Sequence, residues 1–568
     1  MPQATHPGIP RIGMKTMAVG KMEERAMRKL MNILAVALVM LAAVGCEKNE
    51  TLLPDNSPKV VTLTATINNG RTKTSLGALE SSGYPTLWSD GDAIAVIQNN
   101  EIYKFNLTSG AGTSAGTFTL DGTETYSTSF SSAGEIKAFY PYEGVTLDAD
   151  GTTVKYNVPA EQSYAAGSFG NGAAPMTAYR EANATENLEF TNLFGSIKFQ
   201  LKGATGEKLQ SVEITSDKAV SGEISVTIGN ATVATNPDTP NGEQKKVVLR
   251  KGTSDIVLSE DANNPTVIYI PVPAESHTFS VCIITDKGAY YKKVSSAQTI
   301  TCNNILKMPV LNTADMTPAY IENGVCYGGG IELPKSSDGQ ETLIWAPVNC
   351  GYEKADGDYK GYPYGKLYQW GRKYGQGYNT NYDATAAEVV SGPVSLDVGQ
   401  DPENKNKFYR TTSSPYDWLS SQNNTLWNSG TENVPVKTVY DPCPAGWRVP
   451  TNTELVSLVH GLTAGEGGNV QTTGQWTDNS EDSNHSGLKG FWFYGNTTEN
   501  TGSKVFFPAA GCLDRYTGNA LERKYYGAYW SSSVHNSNAW MISFSDNGKV
   551  SLSSPGREYG QSVRCVKE

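Results

Sequence analysis

Val60-Val61-Thr62-Leu63-Thr64-Ala65-Thr66-Ile67 is a β-branched run that reads as a strand, and Asn69-Gly70 behind it reads as a turn. The same alternation of short apolar runs and turn residues continues for two hundred and more residues. Strands are expected at Ala93 to Ile97, Ile102 to Leu107, Gly116 to Leu120, Ile136 to Tyr140, Thr153 to Val158 and Ser196 to Leu201. A second series follows from Leu209, with Val212 to Thr215, Ile224 to Ile228, Lys246 to Leu249, Val267 to Val272, Phe279 to Thr285 and Met308 to Leu311. Short strands at this spacing predict β-sandwiches, with a seam between two of them at Gly203 to Gly206.

Composition agrees with a mainly β chain. The 568 residues include 57 Gly and 30 Tyr, and only 18% are charged. The net charge of −11 argues against nucleic acid as a partner, and the basic excess before residue 45 makes the remainder more acidic still.

Upstream of the first strand, Arg28 and Lys29 flank an apolar run from Leu30 to Val44 that ends in Gly45-Cys46. Its length suits a signal-peptide core and is short for a bilayer span. The stretch also resembles a bacterial lipoprotein signal, although Ala43 stands where Leu is usual. That resemblance implies diacylation of Cys46, an outer-membrane anchor and surface exposure. Residues 1–45 are then a signal peptide with an over-long start, and 46–58, with Pro54 and Pro58, are a tether.

From about Tyr320 the composition changes. Nine of the ten tryptophans lie from Trp345 onward. Thr451-Asn452-Thr453-Glu454 matches a capping box, and Leu455, Leu458, Val459 and Leu462 follow at helical spacing, so this region is expected to be α+β. The domain boundaries expected are 59–203, 204–318 and 319–568.

Two families supply resemblances. Trp88-Ser89-Asp90-Gly91-Asp92-Ala93-Ile94, Phe139-Tyr140-Pro141-Tyr142, Pro159-Ala160-Glu161-Gln162, Pro175-Met176 and Leu188-Glu189-Phe190-Thr191-Asn192-Leu193-Phe194-Gly195-Ser196-Ile197-Lys198 together resemble the fimbrillin family of Bacteroidetes, lipoprotein precursors of surface pili and adhesins. This resemblance implies two tandem transthyretin-like β-sandwiches and assembly with other pilus subunits by donor-strand exchange, after a protease removes the first strand. Arg71 and Lys73 are the candidate cleavage positions. The roles read for the motif residues themselves are structural: Trp88 and Phe194 as core plugs, Asp90-Gly91-Asp92 as a turn.

Trp345-Ala346-Pro347-Val348-Asn349, Gly365-Lys366-Leu367-Tyr368-Gln369-Trp370-Gly371, Asp441-Pro442-Cys443-Pro444-Ala445-Gly446-Trp447-Arg448-Val449-Pro450-Thr451, Phe507-Pro508-Ala509-Ala510-Gly511, Tyr529-Trp530-Ser531-Ser532-Ser533 and Ser562-Val563-Arg564-Cys565-Val566 resemble the Fibrobacter succinogenes major paralogous domain. That resemblance implies a C-type-lectin-like fold for the last module.

No nucleophile elbow, phosphate loop or zinc helix is present, so no catalytic residue, cofactor or metal is expected, and the acidic turns Asp148-Ala149-Asp150, Asp356-Gly357-Asp358 and Asp546-Asn547 read as solvated. The eight cysteines show no C-x-x-C spacing. Cys443 with Cys565 and Cys326 with Cys350 are the preferred bridges, though sequence leaves the connectivity open. Tyr352, Tyr359, Tyr362, Tyr364 and Tyr378, with Tyr525 and Tyr526, are candidate ligand-facing aromatics, because sugars stack their apolar faces on such rings. The functional expectation is surface adhesion as a pilus tip or accessory subunit, with glycans or proteins of host or microbial origin as ligands of the last module. The alternatives are a non-polymerising glycan-binding lipoprotein and a glycan-processing enzyme, the latter requiring a carboxylate pair that the sequence does not display.

Overall fold

In the computed structural model, the described residues are 61–67, 75–76, 86–149, 151–170, 172–237, 239–335, 341–353, 363–377, 388–459, 468–471, 474–496 and 500–568. Strands dominate them, and the only α-helices among them are the single turns Leu396–Gln400 and Asn452–Val456. No helix among them is long and apolar enough to cross a membrane. The stretches read as signal peptide and tether, with Cys46, Arg71 and Lys73, lie outside the described residues.

The first strand, Thr62–Ile67, closes a barrel whose remaining staves run in the order Leu188–Asn192, Met176–Arg180, Ile136–Tyr140, Ala93–Gln98, Glu101–Ser109 and Ala115–Leu120. It lies parallel to Leu188–Asn192, with Ala65 opposite Leu188, and antiparallel to Ala115–Leu120, with Leu63 opposite Phe118. Threonines alternate with Leu63, Ala65 and Ile67, which all turn inward and are buried. Trp88 is the plug that the sequence suggests: it is fully buried and edge-on to Phe118, Tyr140 and Phe190 at 4.9, 5.8 and 5.4 Å. The turn after it is fixed by Asp92, whose carboxylate accepts from Ser89 N at 2.7 Å and from the Tyr140 hydroxyl at 2.9 Å, while Gly91 takes φ +82°.

Ile94 to Ile97 form an unbroken apolar run because both faces of that strand are covered. Ile94 and Val96 face the barrel core; Ala95 and Ile97 meet Val154, Tyr156, Ile224 and Val226 of a separate sheet ordered Val233–Thr235, Gly222–Thr227, Thr153–Val158 and Val145–Leu147.

The second core lies between two sheets. One holds Thr266–Pro273, Phe194–Lys202 and Ile305–Asn312; the other runs Glu161–Ser163, Lys246–Arg250, Lys208–Ser216, Ser276–Thr285, Ala289–Thr299, Thr317–Glu322 and Val325–Gly329. Ile197, Phe199 and Leu201 of Phe194–Lys202 pack here with Val212, Ile214, Val281 and Ile283. The seam expected at Gly203 to Gly206 is therefore displaced: that turn joins two strands of one sandwich, and the change of core comes at Leu193, where the backbone passes from the barrel strand Leu188–Asn192 to Phe194–Lys202. Exchange runs the other way too, since Gly222–Thr227 pairs with Thr153–Val158 and Glu161–Ser163 pairs with Lys246–Arg250. Pairings this distant in sequence leave no local signal.

In the last module, Thr342–Trp345 pairs with Val566–Lys567, which in turn pairs with Trp447–Arg448. A larger sheet is centred on Tyr526–His535 and Asn538–Ser545. The capping box is present, with Thr451 and Glu454 each bonding the other's backbone N–H, but the helix ends at Val456. Leu455, Leu458 and Val459 are buried as expected, and Leu462 lies outside the described residues.

The Trp88→Ala variant should lose about 3 to 5 kcal/mol from the barrel, the usual cost of deleting a buried indole. Urea unfolding followed at the earliest transition measures it.

Candidate functional site

The sequence motifs of the last module meet in its interior. Asn349 is fully buried; its amide donates to Tyr364 O at 2.8 Å and to the Tyr529 hydroxyl at 3.0 Å, and its oxygen accepts from Arg564 Nε at 2.8 Å. Arg564 also donates to Ala346 O and Phe506 O at 3.0 and 2.8 Å, so a fully buried guanidinium spends its fork on backbone carbonyls. Burial holds it below the ordinary arginine value, to about 10. Tyr529 donates on to Pro508 O at 2.7 Å. Four motifs widely separated in sequence are joined by one polar network, satisfied because an unpaired buried group would cost more than the bond returns.

Three of the buried tryptophans follow the same rule. Trp370, Trp418 and Trp530 are fully buried and donate to Ser531 O, Trp370 O and Tyr368 O at 2.9, 2.7 and 2.8 Å. In the Asp441 to Thr451 segment, Asp441 accepts from Cys443 N, Val449 N and Lys437 Nζ, and Arg448 makes a bidentate pair with Glu454 at 2.6 and 2.7 Å. These residues build the module.

Cys443 and Cys565 form the expected disulfide. The second expected bridge is not made: Cys326 and Cys350 are both free thiols. Cys350 is buried against the Cys443–Cys565 pair, with its thiol donating to Pro442 O at 3.2 Å, whereas Cys326 is engaged with Cys282 of the second sandwich. The three sulfurs of Cys350, Cys443 and Cys565 lie within 4.8 Å of one another, but the disulfide leaves Cys350 as the one thiol able to act as a ligand there. Cys512 is pushed up to about 12, chiefly by burial, which fits a structural thiol.

Among the candidate aromatics, Tyr352 and Tyr364 are corrected to core residues. Tyr352 is buried, donates to Asn484 O at 2.7 Å and packs edge-on to Tyr327 and His485; Tyr364 is buried with Leu367, Phe408, Ala510 and Leu513. Tyr359, Tyr362 and Tyr378 fall outside the described residues. Tyr526 is half-buried against the core, and Tyr525 is 57% exposed, with Lys489 Nζ 5.7 Å from its ring centre. Tyr516 is 41% exposed, and the Arg515 guanidinium lies 4.4 Å from its ring and 4.5 Å from that of Tyr416. The sequence reading missed a second surface feature, the loop bearing exposed Val434, Val436 and Val439, because loop valines have no periodicity to mark them.

It also missed the buried ionisable groups. His485 Nδ1 lies 2.8 Å from Asp482, but the ring is fully buried between Tyr352 and Phe506, and burial lowers its pKa. Glu558 is buried and pushed up to about 7 by desolvation, with Arg515 at 3.3 Å opposing the shift. Asp417, held above the usual carboxylate range by burial, faces Arg557 at 3.5 Å.

Residues 478–566 match the Domain of unknown function (DUF8237). No curated protein matches the chain in sequence. Similar solved structures include a putative cell adhesion protein from Bacteroides ovatus, at 14% identity and TM-score 0.30 over 47% of this chain and 97% of that one. A fimbrial protein from Bacteroides ovatus is 12% identical at TM-score 0.22, over 89% of this chain and 99% of that one. The tip fimbrial protein Mfa3 from Porphyromonas gingivalis, with C-terminal truncation, is 13% identical at TM-score 0.20, over 44% and 95%. At these values the likeness carries no functional argument.

Glu558 makes the last module's stability pH-dependent. Its raised pKa contributes stability that is fully present below the unfolded carboxyl value of 4.5 and is lost as pH rises through about 7. Glu558→Gln should flatten the fall in melting temperature between those limits, a difference worth at most about 3 kcal/mol, read by calorimetry at stepped pH.

Proposed function

We propose that the chain is a cell-surface adhesion protein that joins pilus subunits by strand donation and presents its last module as the recognition head. The observation that carries this reading is the first strand. It is the first stave in sequence of a closed barrel, hydrogen-bonded along both edges, and it is followed in sequence by Arg71 and Lys73. Removing it would leave two strand edges and a groove shaped for Leu63, Ala65 and Ile67, which is what β-augmentation by a neighbour's extended segment requires. Lipid on Cys46 would hold the uncleaved form at the outer membrane.

Surface material should then contain heat-resistant ladders whose subunits begin just after Arg71 or Lys73. A start at Cys46 in assembled material would overturn strand donation. A protein found only as a lipid-bound monomer would favour the non-polymerising glycan-binding reading.

The recognition role rests on the exposed rings of Tyr516 and Tyr525. On a glycan and protein array, the full chain should bind at least one ligand, and Tyr525→Ala should weaken that binding about tenfold, the effect of losing one stacked ring. Turnover of an arrayed glycan would instead establish an enzyme.

A further inference from the structure

The hairpin of Thr317–Glu322 and Val325–Gly329 is the joint between the second sandwich and the last module. Its first strand extends the sandwich sheet, with Tyr291 opposite Thr317, yet Tyr320 packs in the core of the last module against Trp447 at 5.2 Å. A register shift between Ala319 and Ile321 bends the hairpin. Its return strand then crosses close over the sheet: a Cβ on Gly329 would stand 2.8 Å from the Tyr291 ring, so only glycine permits that approach.

This path lays Cys326 over the face of the sheet that carries Cys282: Cys326 shares a cleft with Lys246 and Tyr291, and Tyr291 stands opposite Cys282. Cys282 lies mid-strand on Ser276–Thr285, between Glu213 and Tyr291 on the neighbouring strands, and is 3% exposed. Cys326 is half-buried and lines an open cleft of about 930 Å³ together with Lys246, Tyr291, Lys293, Glu353 and Asn484. One thiol of the pair is thus reachable from solvent and the other is beneath it. The Cys443–Cys565 bridge in the same chain fits a compartment where disulfides persist.

We propose that Cys282 and Cys326 are a second disulfide site, and that oxidation there locks the joint between the second sandwich and the last module. The oxidant is the disulfide of a thiol–disulfide exchange partner, a protein oxidoreductase or oxidised glutathione. The Cys326 thiolate attacks one sulfur of that disulfide, whose S–S bond breaks and expels one thiolate. Cys282 then loses its proton to water and attacks the Cys326 sulfur, expelling the second thiolate. Two thiols give up two protons and two electrons, and the partner's disulfide is reduced. The hydrogen bond from Cys282 holds the Cys326 thiol below its ordinary value, while the same contact, followed by burial, raises Cys282, which favours Cys326 as the first nucleophile.

Trypsin places the two residues on separate peptides, Gly252 to Lys287 and Met308 to Lys335, each with a single cysteine. The full chain, blocked with N-ethylmaleimide after equilibration with oxidised glutathione, should yield these two peptides cross-linked in a non-reducing digest. Recovery of both peptides alkylated, or of Cys326 linked to any other cysteine, would overturn the proposal. Limited proteolysis reads the locking: cleavage between residues 312 and 335 should accelerate at least fivefold on reduction of the wild type, with no such reduction dependence in Cys326→Ser. Equal rates in oxidised and reduced wild type would overturn the lock.

Discussion

One constraint governs the first half of the molecule: a sheet closed into a barrel has no free edges, and this barrel closes only through a strand of six residues at its sequence beginning. Leu63 and Ile67 each gain about 1.5 to 3 kcal/mol from burial, and the backbone gains ladders on both sides. The cost of leaving that slot empty is correspondingly large, because Phe118, Leu188 and Phe190 would face water and two edges would be left unpaired. A slot that must be filled, by a segment whose two sheet partners are both distant in sequence, is suited to exchange.

The remaining architecture transmits rather than supplies this property. Ala93–Gln98 is covered on both faces, so the barrel cannot shift against the small sheet behind it. The second sandwich takes Phe194–Lys202 straight from the barrel's last stave, and passes the chain on through the Thr317 to Gly329 hairpin, so each module shares an element with the next. The last module is held together in a different way. Buried Arg564, Asn349 and Gln369 and the indole N–H groups of Trp370, Trp418 and Trp530 bind backbone carbonyls, and a disulfide between Cys443 and Cys565 lies in the core. These polar pairs run through an interior that also holds two large apolar clusters.

Local signals in the sequence were legible where they are complete in themselves. The β-branched first strand, the Asp90-Gly91-Asp92 turn, the Trp88 plug and the Thr451 capping box all stand as read. The sandwich seam was misplaced because Phe194–Lys202 owes its allegiance to Thr266–Pro273 and Ile305–Asn312, partners far along the chain. The Cys326 assignment failed for a similar reason, since a bulge and a glycine at close approach turn the thiol toward Cys282. Among the tyrosines, composition could not distinguish Tyr352, buried against His485, from Tyr525 at the surface: both sit in Gly-rich, polar sequence, and only tertiary packing separates them.

Hydrogen exchange at the amides of Ala115–Leu120 and Leu188–Asn192 tests the central claim most directly. In a chain beginning at Lys73 these edges should lose protection, and a peptide spanning residues 61–67 should restore it. Protection that survives the truncation unchanged would contradict an exchangeable first strand.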